Sequence, residues 1–274
     1  MSRNRPRRQR RAVDARGNPP AVEGNAVSST AADRWTRRFH PVPDAPHRVV
    51  CLPHAGGSAS SFFAVSRALS QRSVDVVAVQ YPGRQDRRHE PCVESLVELA
   101  DLLVDVVLPL ADRPLALFGH SYGASVAFEL AVRLEARGVA VHGLFASGRR
   151  APGVHRDEQA HQLPDDELLA EIRKLNGTDS GVLQDDEILR MVLPAIRADY
   201  KAAETYRWES GPKVRAPLRA FIGDSDPKVT EAEARRWAEH TEGDFDLEVF
   251  PGGHFYLTAH ADAVVERIAR HCGR

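Results

Sequence analysis

Long apolar runs, paired cysteines and an excess of charge of either sign are all missing from this chain. No apolar run approaches the roughly 20 residues of a membrane-spanning helix, so the sequence offers no candidate span. Its three cysteines, Cys51, Cys92 and Cys272, stand far apart with no Cys-x-x-Cys pair. That odd, sparse set fits neither a disulfide framework nor a zinc site, and it suits a reducing cytoplasm. Lys and Arg (37) balance Asp and Glu (38) to a net charge of −1, which removes the overall electrostatic case for nucleic acid or an anionic membrane as partner. No internal repeat is visible. The 274 residues that remain to be explained are 42% apolar and 27% charged, ample for a globular core. That length admits one large α/β domain or two small ones.

The first 35 or so residues differ from the rest. Met1 to Arg16 holds seven arginines against one acid, and Gly17 to Ala32 is small, polar and Pro-containing. Neither part can bury enough apolar surface to fold alone. No apolar segment of secretory length follows the arginines, so an export signal fails. A disordered leader over 1–35 is expected, with the folded unit running from 36 to 274.

The chain is organised around Leu115 to Phe128, where an apolar run meets Gly119-His120-Ser121-Tyr122-Gly123 and a helical pattern (Val126, Ala127, Leu130, Ala131, Leu134) leads out. Strand, Gly-x-Ser-x-Gly and helix in that order is the context of a nucleophile elbow. The glycines allow a sharp turn and close packing of strand on helix. The turn lifts the Ser121 hydroxyl, and the N–H groups at the helix start face developing negative charge. Ser121 is the expected nucleophile.

Around the elbow the chain alternates. Arg48 to Leu52, Val74 to Val79, Val141 to Ser147, Leu218 to Ile222 and Phe245 to Phe250 read as buried strands, with helical periodicity over Ser60 to Gln71, Ser95 to Leu110 and Ala261 to His271. Such alternation of apolar strands and helices implies parallel strands covered on both faces. Thr230 to Glu233 is a capping box opening a helix through Trp237 and Ala238. The Tyr81-Pro82-Gly83-Arg84-Gln85-Asp86-Arg87 turn reads as a solvated loop. Between about 149 and 207 the alternation stops, and two helices with apolar stripes are expected, Asp165 to Leu175 and Asp185 to Tyr200. An all-helical insertion on the side of the catalytic loops reads as a lid over a hydrophobic acyl pocket.

A serine hydroxyl needs an imidazole base, and the imidazole needs a carboxylate to orient it. In α/β-hydrolases the chain order is Ser, acid, His. Among twelve histidines, His254 follows the last strand in a Gly252-Gly253-His254 loop, whereas His240, His260 and His271 fall in or beside helices, where surface roles are expected. Asp226 is preferred to Asp224 as the acid because it lies farther out on its loop, just before Pro227; Asp244 and Asp246 read as solvated. The loop His54-Ala55-Gly56-Gly57 follows an early strand, where such enzymes place a second oxyanion donor. It matches neither dinucleotide nor P-loop fingerprint. The N–H of Ala55 is the candidate donor, with His54 structural.

Pro53-His54-Ala55-Gly56-Gly57, Tyr81-Pro82-Gly83-Arg84, Gly119-His120-Ser121-Tyr122-Gly123 and Pro251-Gly252-Gly253-His254-Phe255 together resemble the type II thioesterases, the free-standing editing enzymes of polyketide synthases and nonribosomal peptide synthetases. The resemblance spans about Phe39 to Cys272; the first two motifs are far more specific than Gly-x-Ser-x-Gly. It implies an α/β-hydrolase fold, a mostly parallel central sheet with helices on both faces and a helical lid. It implies hydrolysis of acyl thioesters on the phosphopantetheine arm of an acyl or peptidyl carrier protein, clearing stalled or wrongly loaded chains. It puts the acid and base at Asp226 and His254 and the oxyanion N–H groups at Ala55 and Tyr122. No metal or diffusible cofactor is called for. The rival readings are a carboxylesterase or lipase on the same fold, a releasing domain cut from a synthase, and a non-catalytic binding module. Met1 and a chain end soon after His254 lead to the expectation of a stand-alone protein, with monomer as the default state.

Overall fold

The computed structural model describes residues 34–176 and 186–273, so the expected leader lies almost entirely outside the described residues. Six strands run parallel: β2 (His47–Leu52), β3 (Val74–Val79), β4 (Leu115–His120), β5 (Val141–Ser147), β6 (Leu218–Gly223) and β7 (Phe245–Phe250). A short β1 (Thr36–Arg37), which sequence reading did not anticipate, pairs antiparallel with β3 at the edge. The order β1-β3-β2-β4-β5-β6-β7 puts β4 mid-sheet. After β2 the chain first winds to one side and then returns to place β4 on the other. Ligands of open α/β sheets gather at the strand C-termini beside such a reversal. The loops after β2 and β4 therefore open into the same crevice.

Alternation along the strands divides the core into two layers. Val50, Leu52, Leu115 and Leu117 face α2 (Leu96–Val107) and α3 (Tyr122–Ala136), meeting Leu99, Leu103, Val126 and Leu130. Val49, Cys51, Ala116 and Phe118 face α1 (Phe63–Ser70) and a C-terminal helix over Ala261–Cys272, meeting Val65, Leu69, Val264 and Ile268. All six positions of β4 are buried, as a strand covered on both faces must be. At about 1.5–3 kcal/mol per fully buried aliphatic side chain, this double layer holds the site's scaffold rigid.

The helical insertion leaves the sheet after β5. Its helices α4 (Asp165–Asn176) and α5 (Asp186–Thr205) pack through Leu168, Leu169, Ile172, Leu193 and Ile196, a cluster separate from the sheet's two layers. The capping box at Thr230 is present, with the Glu233 N–H donating to the Thr230 hydroxyl (3.3 Å) and the Glu233 carboxylate accepting from the Thr230 N–H (2.8 Å). The helix it opens, α6 (Glu231–Arg235), tightens into a 3-10 turn over Arg236–His240 instead of continuing as α-helix. A single turn α7 (Tyr256–Ala259) precedes the last helix, α8 (Ala261–Cys272). Two expectations need correcting. Tyr81, Arg84 and Arg87 are buried, so the Tyr81-to-Arg87 turn is a packed loop and not a solvated one. His240 and His271 are buried too, because the 3-10 turn and α8 press them inward.

Candidate active site

Ser121 sits between β4 and α3 at φ 54° and ψ −119°, a left-handed conformation that a non-glycine residue adopts only under constraint. The constraint is the close packing of the elbow. A Cβ on Gly119 would lie 2.1 Å from the carbonyl oxygen of Gly123, and one on Gly123 would lie 2.1 Å from that of Leu52. The Ser121 N–H donates to the Ser147 carbonyl of β5 (2.7 Å), which pins the elbow to the neighbouring strand.

His254 enters from the loop after β7, and its Nε2 stands 2.9 Å from Ser121 Oγ. Its Nδ1 stands 2.8 and 3.0 Å from the two carboxylate oxygens of Asp226, on the loop after β6. A carboxylate only accepts, so Nδ1 carries the proton and Nε2 is left to accept from the serine hydroxyl. Asp226 Oδ1 also accepts from the Lys228 N–H (2.8 Å), which fixes the carboxylate. Asp224 does something different. Exposed on the same loop, it accepts from the Gly252 N–H (3.0 Å) and ties down the loop that carries His254. That bond, with one from Ser225, holds the Asp224 carboxyl below the usual range. Asp244 and Asp246 are exposed.

The remaining expected residues converge on the same place. Ser121, Tyr122, His254 and the His54-to-Gly57 loop line one cavity of about 590 Å³. Tyr122 opens α3, where a backbone N–H has no intrahelical acceptor. Among the described residues, the Ala55 N–H has no acceptor either. Both are thus available to an oxygen beside Ser121. The cavity's opposite wall comes from the insertion, through Ile172, Val192, Ile196, Tyr200 and Ala203.

Several residues that sequence reasoning missed complete the surroundings. Behind His254, the buried His120 ring lies 5.1 Å away and bonds through Nδ1 to Ser147 Oγ (2.9 Å), which in turn bonds Tyr256 Oη (2.6 Å). Burial, with His254 and His54 nearby, drives the His120 pKa far down, and burial beside His254 and Arg84 takes that of His54 to about 4. Both rings are thus held neutral at pH 7, and the imidazole packed against His254, that of His120, carries no charge. Arg84 and Asp199 form a buried ion pair at the edge of the His54-to-Gly57 loop. Asp199 was detectable as an acid three residues past Ile196 on an otherwise apolar helical stripe. Among the described residues, no cluster of His, Cys, Asp and Glu is arranged to hold a metal, and no helix is long and apolar enough to cross a membrane.

Residues 47–272 match the family model described as a thioesterase domain. The chain is 54% identical over 239 residues to the thioesterase PikA5 of Streptomyces venezuelae, covering 86% of this chain and 85% of that protein. It is 49% identical over 258 residues to a probable cadicidin biosynthesis thioesterase of Streptomyces griseus, covering 94% and 71%. Among solved structures it resembles the type II thioesterase BorB from the borrelidin biosynthetic cluster, at 51% identity and a TM-score of 0.85 over 88% of this chain and 98% of that one.

Proposed function

The chain belongs to the thioesterase family, and from that premise we propose that it is an editing thioesterase acting on acyl groups held by the phosphopantetheine arm of a carrier protein. The observation that carries the chemistry is the unbroken line from Ser121 Oγ and His254, on the floor of the 590 Å³ cavity, to Asp226 behind the imidazole. Type II thioesterases of biosynthetic clusters are among its similar structures, which supports the substrate class.

In this reading His254 Nε2 takes the hydroxyl proton as Ser121 Oγ attacks the thioester carbonyl. Asp226 steadies the imidazolium that forms. The tetrahedral oxygen is held by the N–H groups of Tyr122 and Ala55. The C–S bond breaks, the pantetheine sulfur leaves as the thiol with the proton from His254, and an acyl–Ser121 ester remains. Water, deprotonated by His254, then attacks that ester and releases the acid. A thiolate leaves more readily than an amine, so the triad faces a lower barrier than in a protease. The catalytic unit is residues 36–274, acting as a monomer in the cytoplasm, with the insertion as the lid through which the arm enters.

The test is acyl release from an acyl-phosphopantetheinyl carrier protein, wild type beside Ser121→Ala, with a p-nitrophenyl ester as competing substrate. Release by the wild type alone is the expected result. Cleavage of only the simple ester would move the protein to the carboxylesterases.

A further inference from the structure

The Tyr81-to-Arg84 turn takes no part in the steps above, yet it is buried against the active-site loop. Arg84 is 4% exposed and pairs with Asp199, 2% exposed, on α5 of the insertion. The same Asp199 oxygen, Oδ2, accepts from the Gly56 N–H at 2.8 Å. Gly56 directly follows Ala55, the candidate oxyanion donor. Gly56 is held at φ +73°, and a Cβ there would lie 2.2 Å from Cγ1 of Ile196, one turn before Asp199. One face of α5 therefore seats the oxyanion loop twice, by Ile196 against the bare Cα and by Asp199 on the adjacent N–H. Arg84 is fixed in turn by donating to the Pro82 carbonyl (2.7 Å) and by lying 5.2 Å over the Tyr81 ring. That ring meets the ring of Tyr122, the residue of the second donor, edge-on at 6.1 Å.

We propose that Asp199, held by Arg84, is a positioning residue that sets the Ala55 N–H in the oxyanion hole. Because Asp199 belongs to the helix that walls the acyl cavity, the hole is complete only while α5 is seated on the loop. This rests on the reading of Ser121 as nucleophile and Ala55 as donor. Losing one oxyanion donor costs about 10²–10³ in kcat; a donor displaced but not removed should cost less, on the order of 10- to 100-fold.

The test compares Asp199→Ala with Asp199→Asn, Ser121→Ala alongside, on an acyl carrier protein. An Asn oxygen still accepts from Gly56 but carries no charge for Arg84, so both variants lose the ion pair and only Ala loses the loop acceptor. Expected is a 10- to 100-fold fall in kcat for Asp199→Ala with KM within threefold, and recovery by Asn to within about fivefold of wild type. An alkyl boronic acid, whose tetrahedral adduct on Ser121 places an oxygen in the hole, should weaken in parallel with kcat. Equal losses in Ala and Asn, or a folded Asp199→Ala with kcat and boronate affinity unchanged, would overturn the proposal. Should the Ala variant be insoluble, Asp199→Ser makes the same deletion, its side chain being too short to reach Gly56. Activity surviving in Ser121→Ala would defeat the underlying mechanism; abolition there with a neutral Asp199→Ala defeats only the positioning role.

Discussion

On the floor of the cavity stand Ser121 and His254, with Asp226 behind the imidazole, all on loops rooted in the two apolar layers of the sheet. Above them α4 and α5 share only the small cluster around Ile172 and Ile196. Beyond that cluster, the roof meets the sheet's core through Ala202 of α5 and is tied down by several polar contacts. Arg84 and Gly56 meet Asp199, Lys201 meets Glu94, and Lys228 meets Glu158 at 3.2 Å. A floor held by close packing has one geometry, which is what proton transfer between fixed atoms requires. A roof held by ion pairs and a few aliphatic contacts separates at lower cost, which is what admission of a carrier-borne chain, as proposed, would require. Under the proposed function, chemistry and substrate choice fall to differently built halves of one cavity.

The sharpest way to break that division is at the floor. Ser121→Ala or His254→Ala should lower turnover by at least about 10⁴-fold in steady-state thioester hydrolysis with little change in KM, since triad members act as a unit. Asp226→Asn should fall by about 10⁴, because it favours the wrong imidazole tautomer. Asp224→Asn, on the same loop, should lose less than tenfold: Asp224 accepts from the Gly252 N–H, and an amide oxygen does so as well. Comparable losses in the two Asn variants would mean that the loop and not the carboxylate matters.

A roof change should move selectivity and leave the scaffold standing. Ile172→Ala enlarges the acyl wall, and the kcat/KM ratio for a long over a short acyl chain should rise about tenfold, in line with a few methylene contacts. Its unfolding midpoint should fall less than that of Leu130→Ala in α3, where a fully buried leucine typically costs about 2–5 kcal/mol. If Ile172→Ala destabilised the whole domain as much as Leu130→Ala, roof and floor would be one cooperative core.

The floor was legible in the sequence because its signals are local. Gly119 to Gly123 names the elbow, the glycines before His254 mark the proposed base, and an acid on a strand-end loop marks Asp226. The alternation of apolar strands and helices likewise yields the sheet, apart from β1, a two-residue edge strand too short for any periodicity. Of the two acids on that strand-end loop, Asp226 is the one within hydrogen-bond distance of the His254 imidazole. The roof was legible only as helices. Periodicity tells which face of α5 is apolar, not that this face lands on Gly56, and the Arg84–Asp199 contact joins residues 115 apart in sequence. The Tyr81-to-Arg87 turn looked solvated partly for the same reason, the partner that buries Arg84, Asp199, lying far along the chain.

Acid titration separates the halves a last time. Burial with His254 and Arg84 nearby lowers the His54 pKa to about 4, whereas an unfolded histidine titrates near 6.5. Between those values the unfolded chain binds more protons, so the stability gained by keeping His54 neutral is full above about pH 6.5 and declines as pH falls to 4. Glu158 works in the opposite sense. Burial raises its pKa, but Lys228 and Arg150 outweigh that and hold it at about 2. Its contribution is full above the ordinary carboxylate value of about 4.3 and is lost only as pH falls from there toward 2. Urea midpoints measured across pH should then show two declines, an upper one blunted by His54→Gln and a lower one blunted by Glu158→Gln. Because a neutral floor histidine and a paired roof carboxylate fail in different windows, Glu158→Gln should leave the decline between pH 6.5 and 4.5 as steep as in wild type. A single decline flattened equally by either change would mean that roof and floor come apart together.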